Sequence, residues 1–279
     1  MPRLTVVIPA YNNAAFIGDT MRSVLGQDHD DFELIVADHG SADDTLDVVR
    51  SFSDDPRLTV LETPAGGGAY ANWKRVTDAA DGEYLRLVPG DDLLAPGTLR
   101  AQVEALDAVP TAVLATSPRS LVDASGRTIV ARRGASWPQH VTPGAEAVRR
   151  SVRAGTNIFG EPFCVTFRRS ALDRSGGWYP AFPYLIDQAT YCRTLLLGDH
   201  VSVPALAGGF RLSSTQWSVA LAAEQSGQAR GFHAELHRDR PDVVSAADRR
   251  LGDVRARVVA QLRRLVYVVL RRRMQNGPR

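Results

Sequence analysis

Short apolar runs alternate with amphipathic stretches through the first ninety residues of the chain. These runs lie at residues 4–8, 32–37, 58–61 and 83–88, and the first is a β-branched run of the length of a buried parallel strand. Between them, apolar residues recur at helical spacing, as at Phe16, Met21 and Val24. Strand and helix therefore alternate four times, which predicts a parallel sheet with right-handed crossovers.

The second half of the chain is less regular. Its patterns predict strands over 112–116, 120–123 and 163–167, and helices over 146–153 and 188–197. Residues 132–144 contain Trp137-Pro138 and Pro143-Gly144, and we expect them to form an irregular loop over a site. From Ala246 onward, apolar residues at spacings of three and four, with arginines between them, predict a long amphipathic helix.

The composition is that of an ordinary folded protein, with 44% hydrophobic and 23% charged residues. The sequence contains no apolar run of membrane-spanning length, and we expect no signal peptide because its first residues enter a strand pattern at once. The two cysteines, Cys164 and Cys192, lie in apolar surroundings and are expected to be buried thiols. We therefore expect a protein of the cytoplasm or of the inner face of the plasma membrane.

Charge is distributed unevenly along the chain. The net charge is +2, but residues 249–279 contain ten arginines and one acid, which leaves −7 on the remainder. An acidic body argues against a nucleic-acid binder. The basic amphipathic helix could lie on an anionic membrane surface, pack on the domain, or form a homodimer, and the sequence leaves these open. His233 and His237, which precede this helix, fit a solvated helix face better than a metal site.

Polar side chains follow three of the predicted strands. Tyr11, after the first strand, can lie against a nucleobase, and Asp38, after the second, can accept a hydrogen bond from a base or ribose. Asp91 and Asp92 follow the fourth strand, and a divalent cation would relieve their mutual repulsion while attracting a phosphate. Each could instead be a turn or a helix cap, but ligands bind at this edge of open α/β sheets.

Two further features have both a functional and a structural interpretation. The glycines at 66–68 precede a predicted helix and could let the backbone approach a phosphate, although by themselves they fit a flexible turn better. Asp187 begins a predicted helix after an apolar stretch, so it is either an N-cap or a candidate general base.

Several motifs occur together in the order of one known family. They read Val6-Val-Ile-Pro-Ala-Tyr-Asn12, Asp31-Phe-Glu-Leu-Ile-Val-x-Asp-x-Gly-Ser-x-Asp-x-Thr45, Gly68-x-x-x-Asn-Trp-Lys-Arg75 and Asp91-Asp-Leu-Leu-x-Pro96. In order and spacing they resemble the family 2 glycosyltransferases, and the likeness continues more loosely to about Ser218.

The resemblance implies a GT-A-type fold, which is α/β and Rossmann-like, with a mostly parallel sheet and helices on both faces. Residues 1–110 would form the nucleotide-sugar-binding half of one domain, and residues 111–220 the acceptor-binding and catalytic half. Residues 221–279 would form a helical, arginine-rich C-terminal extension. The implied reaction is an inverting transfer from a nucleoside-diphosphate sugar to a sugar, glycolipid or other hydroxyl acceptor.

Matched to the family's motifs, the donor-binding residues are Pro9, Ala10, Tyr11, Asn12, Asp38, His39, Gly66, Asn72, Asp91 and Arg211. Asp91 and Asp92 would hold Mg²⁺ or Mn²⁺ against the diphosphate, and Asp187 would be the general base. Arg211 belongs to a segment, continuing through Gln216 and Ser218, that often closes over the diphosphate, although it could instead be a surface charge.

One residue departs from the family's pattern. His39 stands where the family usually has an acid that contacts the base, and a neutral imidazole could still accept a hydrogen bond through one nitrogen. The donor base therefore stays open. The alternative function is a nucleotide-binding protein of the same fold with lost or altered transferase activity.

Overall fold

The computed structural model describes residues 2–134, 140–212 and 224–275, with side chains described up to Arg263. The first part contains, in order, β1 (Leu4–Ala10), α1 (Ala14–Leu25), β2 (Phe32–Asp38), α2 (Thr45–Arg50), β3 (Leu58–Glu62), α3 (Gly68–Asp78) and β4 (Tyr84–Leu87). The four strands predicted here are confirmed, each to within two residues at its ends.

The chain continues with β5 (Leu93–Leu94), α4 (Thr98–Ala108), β6 (Ala112–Thr116), β7 (Arg119–Val122), β8 (Thr128–Arg133), β9 (His140–Thr142), α5 (Gly144–Ala154), β10 (Val165–Arg168), α6 (Arg169–Arg174), α7 (Ile186–Leu195), β11 (Asp199–Ser202), β12 (Gly208–Arg211), α8 (Gln225–Asp239) and α9 (Ala246–Gln275). The expectation of an irregular loop over 132–144 is wrong at both ends. β8 pairs with β7 and β9 pairs with β11, and Trp137-Pro138 lies outside the described residues.

In the described residues the strands form two sheets. The larger has the order β3-β2-β1-β4-β10-β6-β11-β9, and its first four strands are parallel. β10 runs antiparallel to both β4 and β6, and it joins strands from the two sides of residue 110 into one sheet. The smaller sheet has the order β5-β12-β7-β8, and in it β5, which follows β4 in the chain, pairs with β12.

The core lies on both faces of the large sheet. Val6, Val7 and Ile8 of β1 are all fully buried, which is why this strand reads as a continuous apolar run. Arg86 of β4 is buried as well, and its Nε donates to the Phe163 carbonyl at 2.8 Å. Burial lowers the pKa of Arg86 to about 10, so it stays a cation whose hydrogen bond fixes the segment before β10.

The two cysteines are free thiols in this core, as predicted. Cys164 and Cys192 are both buried, and burial raises the pKa of each thiol. A thiol in such surroundings stays protonated and has little reactivity, so both cysteines serve packing.

The C-terminal helices pack on the domain. Ala256 and Ala260 of α9 are buried, and the Nδ1 atom of His233 on α8 lies 2.9 Å from an Asp253 carboxylate oxygen on α9. The expectation of a solvated helix is wrong for His233, because its ring is enclosed between these two helices.

Candidate active site

The carboxyl ends of β1, β2 and β4 meet at one edge of the large sheet. Parallel register pairs Ala10 with Asp38 and Val7 with both Ile35 and Leu87, so the residues that follow each strand lie side by side. A cavity of about 1650 Å³ opens at this edge among the described residues. Of the predicted site residues, those that line it are Pro9, Tyr11, Asn12, His39, Gly66, Asn72, Asp91, Asp92 and Asp187. The other three predicted residues, Ala10, Asp38 and Arg211, do not line the cavity.

Tyr11 forms an exposed aromatic surface at the first strand end. Its side chain is 54% exposed, and its ring meets the His39 ring edge-on at 6.4 Å between centroids. The next residue, Asn12, has a left-handed backbone conformation with a φ of 50°, and its Oδ1 accepts a hydrogen bond from Ala42 N at 2.9 Å. The turn therefore presents a flat ring to the cavity on a fixed backbone, as stacking on a base requires.

Asp38 is engaged by its own turn. Its carboxylate accepts from Ser41 N at 3.0 Å and from the Ser41 hydroxyl, and the residue is buried. The structure thus supports the turn-capping interpretation for this side chain and does not bring it to the cavity wall.

His39 is bound within the protein through both ring nitrogens. Nδ1 lies 3.0 Å from the Thr63 hydroxyl, and Nε2 contacts the carbonyl of Gly66. Because a carbonyl can only accept, Nε2 carries a proton and donates. The expectation that the imidazole accepts a hydrogen bond from the base is therefore not met. Instead, the ring fixes the glycine-rich loop in front of α3.

That loop brings a helix N-terminus to the cavity. Gly66, Gly67 and Gly68 all have positive φ angles, a conformation that other residues adopt only with strain, and Gly67 is the N-cap of α3. The unpaired backbone N–H groups at such a helix start favour a phosphate. Asn72, one turn further along, donates to the Ala10 carbonyl at 3.2 Å, while its buried Oδ1 has no hydrogen-bond partner in the described chain.

Asp91 and Asp92 follow β4 on a tight turn. Gly90 lies close to Asn13 in this turn, and a Cβ atom there would lie 2.8 Å from Asn13 Oδ1. Asp92 is buried, and its Oδ1 accepts from Arg211 N at 2.9 Å. Burial, followed by the neighbouring Asp91 carboxylate, raises the pKa of Asp92 well above its usual range.

Arg211 stabilises this turn from behind. The guanidinium donates to the Asp91 carbonyl through Nε at 2.8 Å and to the Ala124 carbonyl at 2.9 Å, and it stacks over Phe16. Arg211 is buried, so neither the surface-charge interpretation nor a place in the cavity wall agrees with its position. Gln216 and Ser218 of the same segment lie outside the described residues.

The acid pair suits a hard divalent cation. Asp92 Oδ2 is buried without a hydrogen-bond partner in the described part of the chain, and the preceding residue, Asp91, supplies a second carboxylate. Among residues 2–134, 140–212 and 224–275, no group of three or more His, Cys, Asp or Glu could hold a metal ion. A cation here would therefore take one or two carboxylates and complete its shell with phosphate oxygens and water, which is how Mg²⁺ usually binds.

Asp187 lies in the wall of the same cavity, in the first turn of α7. Its carboxylate accepts from Asn157 Nδ2 at 2.8 Å and from Gln188 N at 2.6 Å. Burial raises the pKa of Asp187 to about 6, and the Glu161 carboxylate contributes to this rise, while the two hydrogen bonds oppose it. A carboxylate with this pKa can accept a proton near neutral pH.

Sequence reasoning missed Arg119 and Glu161, which also line the cavity. They form a largely buried ion pair, in which Arg119 Nη2 donates to Glu161 Oε1 at 2.8 Å. The Glu161 charge raises the pKa of both Asp92 and Asp187. The available signal was that Glu161 is the only acid between Glu146 and Asp173, in an otherwise apolar stretch that ends at Pro162.

The C-terminal helices close the far end of the cavity. Val259, Leu262 and Arg263 of α9 line it together with Tyr184 and Ile158. Arg263 contacts the Tyr184 hydroxyl and lies 5.9 Å from the ring centroid. The cavity therefore has a polar end at the strand termini and a more apolar end that also carries an arginine.

The sequence model of glycosyl transferase family 2 matches residues 5–176. A curated relative from Campylobacter jejuni, named GalNAc(5)-diNAcBac-PP-undecaprenol beta-1,3-glucosyltransferase, is 35% identical over 101 residues, which are 36% of this chain and 33% of that protein. The chain spans between 33% and 65% of the length of three curated relatives that it matches.

Two solved structures share the fold. S. aureus TarS 1–349 in complex with UDP-GlcNAc has a TM-score of 0.67 at 18% identity, over 84% of this chain and 66% of that chain. The mannosyltransferase PcManGT from Pyrobaculum calidifontis, in complex with GDP-Man and Mn²⁺, has a TM-score of 0.65 at 20% identity, over 96% of this chain and 75% of that chain. These likenesses confirm the predicted GT-A-type α/β fold.

Proposed function

Because the chain belongs to glycosyl transferase family 2, we propose that it transfers a sugar from a nucleoside-diphosphate sugar to an acceptor hydroxyl, with inversion at the anomeric carbon. One observation carries the proposal. A carboxylate with a pKa of about 6, Asp187, and a carboxylate with an unpartnered buried oxygen, Asp92, line the same cavity. The first suits proton acceptance, and the second suits cation binding.

The donor occupies the end of the cavity formed by the strand termini. Tyr11 stacks on the base, and the N-terminus of α3 with Asn72 lies toward the ribose and diphosphate. Asp91 and Asp92 would hold Mg²⁺ or Mn²⁺, and a cation bound there would supply positive charge to the leaving diphosphate. The complexes of TarS with UDP-GlcNAc and of PcManGT with GDP-Man and Mn²⁺ support a donor of this class.

The acceptor enters from the end formed by Ile158, Tyr184 and Leu262. Its hydroxyl proton passes to the Asp187 carboxylate while its oxygen forms the bond to the anomeric carbon. The bond from that carbon to the diphosphate oxygen breaks, and its electron pair leaves on the nucleoside diphosphate. Attack from the opposite face inverts the centre, and Asn157 keeps the base oriented during the step.

We propose a sugar or glycolipid acceptor of bacterial cell-envelope or polysaccharide biosynthesis. The relative from Campylobacter jejuni supports this class, since its name specifies an undecaprenol-diphosphate-linked acceptor. The largely apolar far end of the cavity, with Arg263 at its wall, is compatible with such a molecule.

The test compares Asp187→Asn and Asp92→Asn with Asp173→Asn, an acid of α6 outside the cavity. UDP and GDP binding is measured by calorimetry with Mn²⁺, and nucleotide release is measured from UDP-GlcNAc and GDP-mannose with a GlcNAc glycoside as acceptor. Asp187→Asn should lower turnover by about a thousandfold with nucleotide affinity within about twofold, because only proton transfer is lost. Asp92→Asn should lose the part of binding that depends on Mn²⁺, and Asp173→Asn should match the native chain.

Full turnover in Asp187→Asn would refute the assignment of the base. The alternative is a nucleotide-binding protein of the same fold without transferase activity, in which His39 still holds the glycine-rich loop through Gly66. Tight binding of UDP or GDP by the native chain, with no release from either sugar nucleotide, would support that alternative.

A further inference from the structure

Helix α9 has one face built into the protein. Gly252, Ala256 and Ala260 are buried against the rest of the chain, and a Cβ atom at Gly252 would collide with the Val152 carbonyl of α5. Asp253 adds the contact with His233 of α8. These contacts fix the rotation of the helix, so the direction of its opposite face is also fixed.

The opposite face carries a row of apolar side chains. Val254, Val258 and Leu262 are 56%, 53% and 57% exposed, and their spacing of four places them along one line of the helix. The other large hydrophobic residues exposed in the described chain are Tyr11, Val130, Val141, Ile158 and Leu197. None of those forms a comparable row on a helix, and single exposed apolar residues need no explanation.

Arginines flank this outer row, which we define as Val254, Val258 and Leu262. At 100° per residue, Arg257 lies on one side of the row and Arg255 on the other, while Arg250 continues the row at its N-terminal end; all three are exposed. The only acid from residue 249 onward is Asp253, which is turned toward His233 on the inner side. The outer face is therefore apolar along its centre and basic at its borders.

We propose that the outer row lies in the interface of an anionic lipid bilayer. Such a surface offers both the apolar layer that the valines and leucine need and negative headgroups for the arginines. A second copy that met the first through the same row is a poorer occupant, because it would bring another segment of charge +9 against it. In the part of the chain that the structure describes, no helix has the length and apolar character to cross a membrane.

The position of the row has a consequence for the acceptor. Leu262 belongs both to the row and to the cavity wall, next to Val259 and Arg263. A hydroxyl acceptor carried on a lipid would therefore reach the cavity directly from the bilayer surface. This consequence rests on the proposed function, whereas the docking itself does not, and vesicle binding measures the docking alone.

The experiment uses the full chain and the pair Val254→Gln/Val258→Gln, which leaves the cavity wall unchanged. The control is Val130→Gln/Val141→Gln, which removes two exposed valines elsewhere. Flotation is measured with vesicles of phosphatidylcholine alone and of phosphatidylcholine mixed with phosphatidylglycerol. The native chain and the control should bind the anionic vesicles, and the α9 pair should bind at least about tenfold more weakly.

Two results would overturn the proposal. The first concerns vesicle binding: either the native chain fails to bind anionic vesicles, or the α9 pair binds them as well as the control does. The second concerns light scattering without lipid, where a native dimer that the α9 pair converts to a monomer would assign the row to a second copy. Far-ultraviolet circular dichroism of both variants establishes that each is folded before binding is compared.

Discussion

At the scale of single residues, the proposed general base, Asp187, lies where burial and a neighbouring charge make its ionisation costly. Glu161 is the charged neighbour that raises the pKa of Asp187, after burial itself, and Arg119 is paired with Glu161. Tyr191 and Cys192 also interact with Asp187, but burial raises the pKa of both, so they stay neutral. Glu161 is thus the charged neighbour whose substitution should change the pKa of Asp187.

This arrangement predicts the pH dependence of kcat/KM. Since Asp187 must be ionised to accept a proton and its pKa is about 6, kcat/KM should fall as the pH drops through that value. Glu161→Gln removes a negative charge, which favours the ionised form, so the acidic limb should move to lower pH. A pH profile of each variant measures this, with Glu104→Gln on the exposed face of α4 as the control. A limb that stays in place would show that Glu161 does not act on the base.

His39 gives a second prediction at this scale. His39→Ala removes the donor to the Gly66 carbonyl, which lies in an exposed loop, and the partner of the buried Thr63 hydroxyl. We expect a loss of about 1–2 kcal/mol in the free energy of unfolding and weaker binding of UDP or GDP, because the phosphate-facing loop is no longer held. Urea denaturation and calorimetry measure the two effects.

The matched control is His237→Ala, whose ring also bonds a backbone carbonyl, that of Val244, but far from the cavity wall. It should lose some stability and keep nucleotide affinity. Equal affinity in both variants would mean that His39 does not position the loop for nucleotide binding.

At the scale of elements, two helical glycines of the C-terminal region should respond oppositely to the same substitution. Gly252→Ala on α9 places a methyl group against the Val152 carbonyl, which requires α9 to move away from α5. At Gly227 on α8, the position that a methyl group would take has no neighbouring atom within 4 Å, so Gly227→Ala only restricts the unfolded chain.

We expect Gly252→Ala to lower the free energy of unfolding by about 2 kcal/mol or more and Gly227→Ala to raise it by about 0.5–1 kcal/mol. Urea denaturation at one pH compares the two. A neutral Gly252→Ala would show that α9 is not seated closely against α5.

The elements that sequence predicted well are those whose signal is local. Each of β1 to β4 was recognised from nearby residues alone, and the parallel direction followed from the helix predicted between successive strands. β5 has two residues and no period, and it exists because Leu93 pairs with Gly209 from a distant part of the chain. β8 and β9 also depend on partners that a local pattern does not reveal, which is why 132–144 appeared irregular.

At the scale of the whole molecule, the site was predictable where topology fixes it. Tyr11, Asp92 and Gly66 reach the cavity because parallel strands end at the same edge. The direction of a side chain is set by tertiary contacts, so the sequence alone could not show that Arg211 turns behind the acid pair or that His39 bonds Gly66. Glu161 was missed because its proximity to Asp187 arises only in the folded chain.

The C-terminal segment is part of the fold rather than an appendage, and this changes how its role can be tested. Deleting residues 246–279 would uncover Val152 and remove Asp253 from the buried His233. We therefore expect the truncated chain to lose at least about 3 kcal/mol of unfolding free energy, because buried apolar contacts disappear together with a buried hydrogen bond. Loss of membrane binding in such a truncation would say nothing about the outer row.

The comparison that separates the two faces of α9 is between this truncation and Val254→Gln/Val258→Gln. The substituted side chains are exposed, so the pair should stay within about 0.5 kcal/mol of the native chain in urea denaturation while losing vesicle binding. The inner face then accounts for stability and the outer face for docking. A truncated chain with a native denaturation midpoint would contradict this division, since it would mean that α9 contributes nothing to the fold on which the cavity depends.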